Sequence, residues 1–274
     1  MDRRLTPWNG RVAAARLKGK VEADSFIEGW PRRVAQPVAD LLGEPDGPRV
    51  RQLLLGAAVT VFEDRQGWAF VQAAKDGYVG YVNSAALGDA RAPTHWVAVP
   101  AGHVYADPDI KSKTLGALVF GNAVTCVAHM PKFYETSDGG FICKPHLWPI
   151  DKRFSDPVTV AQLHFGVPYL WGGNSTRGID CSGLVQAALL ACGIACPGDS
   201  DLQEQAVGRN LAPETAQRRG DLLFWKGHVA MAVDGETLIH ANAHRMAVAY
   251  EPADKAIARI QAQGDGPVTS RRRL

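Results

Sequence analysis

Residues Gly166-Val-Pro-Tyr-Leu-Trp-Gly-Gly-Asn-Ser-Thr-Arg-Gly-Ile-Asp-Cys-Ser-Gly183 run a loop rich in glycine and aromatic side chains straight into a cysteine. The segment after that cysteine has a helical period. Leu184, Val185, Ala188, Leu189 and Cys192 recur at the i, i+1, i+4, i+5, i+8 spacing of one buried face, and Gly193 supplies a C-terminal stop. This spacing predicts a helix with Cys181 in its first turn. Asp180, immediately before it, is a good N-cap, which leaves the thiol beside unpaired backbone N–H groups and the positive end of the helix dipole. Both favour thiolate over thiol, the condition that separates a reactive cysteine from an inert buried one. The competing reading, a small apolar side chain in a core, fits less well because polar Asp180 and Ser182 flank the residue. Cys181 is therefore the candidate nucleophile.

A cysteine nucleophile needs a base within hydrogen-bond reach, and the base needs an orienting partner. Downstream of Arg218-Arg-Gly-Asp221, the runs Leu222–Trp225, His228–Val233, Thr237–Ala241 and Met246–Tyr250 read as strands. His228 opens one strand and His240 lies near the end of the next, with Asp234-Gly235 as the hairpin signal between them. A three-residue loop Val233-Asp-Gly235 with Gly235 left-handed would set the two histidines opposite each other on one face, whereas a one-residue slip would turn His240 away. Singly, a strand histidine is more often structural. Together with Cys181 the pair forms a candidate catalytic group, and His244, in the following turn, is a spare for the third position.

Upstream the pattern differs. Residues 1–30 read as a partly helical N-terminal arm between Arg11 and Glu28. From 31 to 90 short alternating runs, Val34 to Leu42, Ala58–Phe62, Trp68–Gln72 and Tyr78–Val82, predict the strands of a small barrel. Residues 91–150 repeat the scheme. Val97-Ala-Val-Pro100 matches Val34-Ala-Gln-Pro37, Gly121-Asn-Ala-Val-Thr-Cys-Val127 matches Gly56-Ala-Ala-Val-Thr-Val61, and Asp138-Gly-Gly-Phe-Ile142 matches Asp76-Gly-Tyr-Val79. Two copies of one SH3-sized all-β barrel are expected, followed over 151–274 by an α+β domain, and so small a barrel more often binds or positions than catalyses.

Composition bounds the function. With 30 basic and 28 acidic residues the net charge is +2, too balanced to imply a nucleic-acid partner, and Arg271-Arg272-Arg273 reads as a solvated tail. The five cysteines, Cys126, Cys143, Cys181, Cys192 and Cys196, are odd in number and form no regular framework, which argues against a disulfide-stapled secreted domain. Cys126 and Cys143 read as barrel core. No Cys-x-x-Cys or His-Glu-x-x-His spacing points to a metal, and no cofactor motif is present. No signal peptide and no run of about 20 apolar residues is recognised, so the expected location is the cytoplasm, with no membrane association.

Pro168-Tyr-Leu-Trp-Gly-Gly173, Asp180-Cys-Ser-Gly183, Gly220-Asp-Leu222, Gly227-His-Val229 and Ile239-His-Ala241, in this order and spacing, resemble the NlpC-type papain-like cysteine peptidases of bacterial peptidoglycan over about residues 155 to 255. The two preceding barrels resemble bacterial SH3 domains. The whole arrangement is similar to the γ-D-glutamyl-L-diamino acid endopeptidases that recycle murein peptides. The resemblance implies a triad of Cys181, His228 and His240, with Tyr169 lending its hydroxyl beside an oxyanion hole begun by the backbone N–H of Cys181. It also implies that Trp171, Asp180, Ser182 and Ser200 line the substrate pockets, that Asp180 meets a free N-terminal ammonium, and that Tyr78 closes the same pocket. One departure stands out: the family commonly has an acidic residue shortly before the Gln-Leu-Leu run, where this chain reads Arg49-Val-Arg-Gln-Leu-Leu-Leu55. A papain-like acyltransferase and a wall-binding protein with a vestigial peptidase domain are the alternatives. Turnover of a thioester with an added acceptor would mark the first, and a thiol inert to iodoacetamide the second.

Overall fold

In the computed structural model, which describes all 274 residues, the alternating segments before residue 90 pair into one antiparallel seven-stranded sheet. Its order is Arg49–Leu54, Val38–Leu42, Val79–Asn83, Trp68–Ala73, Ala58–Arg65, Trp30–Val34 and Leu87–Asp89. Alternation decides what each face buries. Val34, Leu41, Leu53, Val59, Val61, Val71 and Val82 form the inner core together with Tyr78, while Phe62, Phe70 and Tyr81 pack in a second cluster. Arg51 is buried in the outermost strand of this order.

The N-terminal arm differs from expectation. It contains no α-helix, only single 3-10 turns at Arg3–Leu5 and Ala15–Leu17 and a parallel pairing of Val12–Ala14 with Ser25–Ile27. The consecutive residues Val12, Ala13 and Ala14 are all buried, with Leu17, against Phe62, Phe70 and Tyr81. A consecutive apolar triplet suits an extended segment covered on both sides rather than a helix, whose buried face needs spacing of three and four.

Residues from His95 to Pro149 form two further antiparallel sheets. One has the order Ala123–Val124, His95–Val97, Leu147–Pro149; the other Thr114–Val119, Ala101–Tyr105, Phe141–Cys143, Phe133–Thr136, Cys126–His129. In the first β region Pro37 interrupts the run from Val34 to Leu42 read as one strand from the sequence, and Pro100 stands in the corresponding place between His95–Val97 and Ala101–Tyr105. A residue without an N–H cannot extend the ladder there. Cys126 and Cys143 are half-buried rather than central to the core.

The chain divides into two compact units, Met1–Lys152 and Arg153–Leu274. The second carries all four α-helices, Pro157–Gln162, Cys181–Ala191, Ser200–Ala206 and Ala253–Ala262, so the protein as a whole is mostly β with few helices. Its main sheet has the antiparallel order Arg209–Asn210, Ser270–Arg273, Leu222–Trp225, His228–Ala232, Thr237–Asn242, Ala247–Pro252. No helix is long and apolar enough to cross a membrane.

Arg271–Arg273 is not a solvated tail. It is strand, paired with Leu222–Leu223 on one side and, through Arg272 and Arg273, with Arg209–Asn210 on the other. Arg273 grips Asp221 with two hydrogen bonds of 2.7 and 2.8 Å, and the backbone N–H of Arg218 donates to the same carboxylate at 2.8 Å. Burial alone would push the Asp221 carboxyl up, but these contacts outweigh it and hold it below the ordinary carboxylate value. Its folded pKa is depressed, so the stability it contributes is present above the unfolded value and is lost as pH falls through the folded one. Asp221→Asn is expected to lose roughly 1.5–3 kcal/mol at pH 7. The gap from wild type should close when the pH is brought from 7 to well below the ordinary carboxylate range, once the native carboxyl also protonates. Urea denaturation of both proteins at the two pH values checks this; a gap independent of pH would mean that packing, not charge, is what Asp221 contributes.

Candidate active site

The helix that bears the candidate nucleophile spans Cys181–Ala191, and Leu184, Val185, Ala188 and Leu189 are buried as their spacing predicts. Gly193 adopts φ +76°, the left-handed stop expected after the last turn, with Cys192 as the half-buried C-cap. At the other end Asp180 caps: its Oδ1 accepts the N–H of Gly183 at 2.6 Å and the hydroxyl of Ser182 at 3.0 Å. Its Oδ2 accepts the N–H of Gly172 at 3.0 Å, which ties the aromatic loop to the helix start. A Cβ on Gly183 would collide with the carbonyl oxygen of Gly173, so the loop crosses the first turn at a distance that glycine alone permits.

Behind the helix start a buried polar chain holds the same loop. Asn174 donates to Gln186 at 3.2 Å, Gln186 donates to the carbonyl of Cys196 at 3.1 Å, and Gln203 donates to the carbonyl of Ser182 at 2.9 Å. Ser200 is buried as the first residue of its helix. Trp171 is 69% exposed, a large apolar ring that the packing of its own unit leaves largely in solvent. Tyr78 belongs to the other unit, where its ring is part of the inner core of the first sheet.

Tyr169 enters beside the thiol. Burial, then the Cys181 thiol and the Asp180 carboxylate, push its hydroxyl up to about 12, so at neutral pH it is a proton donor. The N–H of Cys181 lies in the first turn, outside the helix's own i→i−4 ladder. These two donors are of the kind that holds a developing oxyanion. The thiol itself lies 4.0 Å from the carbonyl oxygen of Gly227. Gly227, at φ +79°, belongs to the two-residue turn that pairs Trp225 with His228, so this turn delivers the next residue, His228, to the helix start.

Nε2 of His228 and Nδ1 of His240 are 2.8 Å apart. The register that brings them together is not the expected one. Met231 pairs with Ile239 and Ala232 with Leu238, so the loop is Asp234-Gly235-Glu236, and Gly235 is not left-handed. The Asp234 carboxylate accepts the N–H groups of Glu236 at 2.8 Å and Thr237 at 2.7 Å, a side-chain turn that moves the loop one residue along. Continuing that register sets His240 opposite Ala230, with His228 two residues on. The shift is even, so both rings keep one face and meet diagonally across it. His244 lies outside the strand and takes no part.

Two residues of this arrangement escaped the sequence reading. Nε2 of His240 lies 3.1 Å from Oε2 of Glu251, and Arg259 clamps that carboxylate through Nε at 2.9 Å and Nη2 at 2.7 Å. Glu251 is the penultimate residue of the next strand and Arg259 sits in the helix directly after it. Neither forms a motif, and the only signal was an acidic residue on the strand beside a candidate histidine.

Burial, followed by the electrostatic influence of His240 and Arg259, pushes His228 well below the ordinary imidazole value, so it is a neutral acceptor at neutral pH. By contrast, burial pushes the thiols of Cys126, Cys143 and Cys192 up, the last to about 11, which leaves them unreactive. All five cysteines are free. The arrangement offers a thiol at a helix start, an imidazole on the residue after the carbonyl that meets the thiol, a second imidazole behind it, and a pair of donors for an oxyanion. This is the equipment of acyl transfer through a thioester.

Comparison with known proteins agrees with this geometry. The NlpC/P60 family matches residues 166–262, and the bacterial dipeptidyl-peptidase Sh3 domain matches residues 41–87. The dipeptidyl-peptidase 6 of Lysinibacillus sphaericus is 29% identical over 232 residues, 75% of this chain and 85% of that protein. The gamma-D-glutamyl-L-lysine dipeptidyl-peptidase of Bacillus subtilis is 27% identical, over 69% of this chain and 71% of its own length. Among solved structures, an NlpC/P60 family protein from Bacillus cereus superposes with a TM-score of 0.73 at 21% identity, over 89% of this chain and 99% of that one, a likeness of fold. Over residues 166–262 the chain therefore carries an NlpC/P60 cysteine peptidase domain, preceded at 41–87 by a bacterial SH3 domain.

Proposed function

We propose that this enzyme hydrolyses the γ-D-glutamyl–diamino acid bond of peptidoglycan-derived peptides that carry a free N-terminal L-Ala, and that it works in the cytoplasm in the recycling of murein peptides. The observation that carries the reading is similarity along most of the chain, SH3 region included, to relatives named as dipeptidyl-peptidases of that bond. In this reading the Cys181 thiolate attacks the γ-glutamyl carbonyl, and the N–H of Cys181 with the Tyr169 hydroxyl stabilises the oxyanion. His228 protonates the departing amine and then activates water, with His240 orienting its ring. Trp171, Asp180, Ser182 and Ser200 border the substrate, Asp180 acting on the ammonium in addition to its capping role.

The domain reading is part of the proposal: an arm over 1–30, SH3-like barrels over 31–90 and 91–150, and an α+β papain-like domain over 151–274. The strand pairing supports the second barrel. Within each β region the first strand pairs with the fourth and the last, the second with the third and the sixth, and a single 3-10 turn precedes the final strand. The short strands Ala123–Val124 and Cys126–His129 together take the place of the continuous Ala58–Arg65.

Incubation with L-Ala-γ-D-Glu-diaminopimelate, and with its L-Lys counterpart, followed by mass spectrometry should show release of the L-Ala-D-Glu dipeptide. A charge-assisted contact to the substrate amine contributes roughly 1.5–3 kcal/mol, so N-acetylation of the tripeptide is expected to lower kcat/KM by about ten- to a hundredfold. Equal cleavage of the free and acetylated peptides would remove the free-terminus requirement while leaving the peptidase intact.

A further inference from the structure

The catalytic imidazoles do not end at His240. On the sheet face that the C-terminal helix covers, His228, His240 and Glu251 run diagonally across three neighbouring strands, and Arg259 reaches down from the helix to close the line. The positions opposite His240 are small. Ala249 is paired with it on one side and Ala230 lies opposite on the other, which leaves room for diagonal ring-to-ring and ring-to-carboxylate contacts. Glu251 pairs with Leu238, two residues from His240 along the strand, the offset a glutamate can span.

We propose that Glu251, clamped by Arg259, is a positioning residue that sets the tautomers of both histidines and thereby makes His228 a base toward Cys181. The argument is one of donors and acceptors. A carboxylate accepts only, so the Nε2 of His240 facing Glu251 at 3.1 Å must carry its proton. With Nε2 as its single N–H, His240 keeps a lone pair at Nδ1, 2.8 Å from Nε2 of His228, which is then the protonated nitrogen of that ring. Only one nitrogen of neutral His228 remains without a proton, and that is Nδ1. The thiol proton moves from Sγ to this Nδ1, leaving thiolate and an imidazolium whose Nε2–H still points at His240. No other proton has to move.

Arg259 keeps the carboxylate an acceptor. Its bidentate hydrogen bonds, then the contact from His240, hold the Glu251 carboxyl far below the ordinary carboxylate value despite burial. Without that charge His240 is free to carry its proton on Nδ1. Two N–H groups would then face each other at 2.8 Å, and His228 would avoid the clash only by moving its own proton to Nδ1, where it no longer accepts from the thiol.

This inference rests on the Cys181–His228–His240 machinery but not on the identity of the substrate, and two of its readouts, the alkylation rate and the imidazole tautomers, need none. The rate of Cys181 alkylation by iodoacetamide is measured for wild type, His228→Ala, Glu251→Gln and Arg259→Gln, with the 15N chemical shifts of both imidazoles recorded for all four. Glu251→Gln, whose amide can donate, is expected to slow alkylation and to lower kcat by about 10- to 100-fold with KM within about threefold, and to move the His228 proton from Nε2 to Nδ1. Arg259→Gln should move the same readouts in the same direction by less, so a misfolded Glu251→Gln leaves a second variant to decide. Alkylation unaffected by His228→Ala would overturn the base assignment itself. Alkylation slowed by His228→Ala, with kcat and tautomers unchanged in folded Glu251→Gln or Arg259→Gln, would overturn the role of Glu251 alone.

Discussion

Cys181→Ala is expected to abolish hydrolysis, with a loss of at least about 10⁴-fold in kcat, while the protein remains folded. The nucleophile forms the bond that splits hydrolysis into acylation and deacylation, and no neighbouring group can replace it. The other thiols whose pKa burial raises, Cys126, Cys143 and Cys192, are poor substitutes. The structural cost is small because the change removes one sulfur at a helix start whose cap is made by Asp180, not by the thiol. Truncation of so small a buried side chain costs on the order of 1 kcal/mol. The measurement is tripeptide turnover beside a thermal melt. Activity within a few fold of wild type would take Cys181 out of the mechanism.

His228→Ala should cost about as much as loss of the thiol, because it removes the proton acceptor for attack and the donor for the leaving amine in one change. His240→Ala should be milder. An orienting group contributes less than the base, so this variant is expected to retain roughly 10- to 100-fold more activity than His228→Ala. The two rings touch at 2.8 Å, so their losses must also be non-additive: the double variant should be little worse than His228→Ala alone. Equal, slight losses in both single variants would mean that the paired imidazoles are structural. A double variant far below His228→Ala would mean that His240 acts independently of it.

The helix start at Cys181 was legible in the sequence because everything that makes it is local. Asp180 caps three residues on, Leu184, Val185, Ala188 and Leu189 mark the buried face, and Gly193 ends the helix in a conformation that glycine adopts without strain. The strands of the first β region were legible for a similar reason, since alternation is a property of neighbours, although Pro37 cut the run from Val34 to Leu42 short. That His228 and His240 share a face was also within reach, because an even shift of register preserves it. Their actual offset was not: the choice between two three-residue loops was made by the Asp234 side chain capturing two N–H groups. The arm was misread as partly helical because its apolar triplet is satisfied by a sheet surface formed by residues 50 to 70 positions away. The sequence alone therefore determined the candidate nucleophile, the capped helix and the strand grammar. Only the tertiary structure decided that Glu251 and Arg259 stand behind His240, that Arg273 pairs with Asp221, and that the basic C-terminal run is a strand. Those contacts join residues 8 to 64 positions apart whose types carry no periodic signal, and only the sheet's register and the packing of the last helix bring them within hydrogen-bond distance.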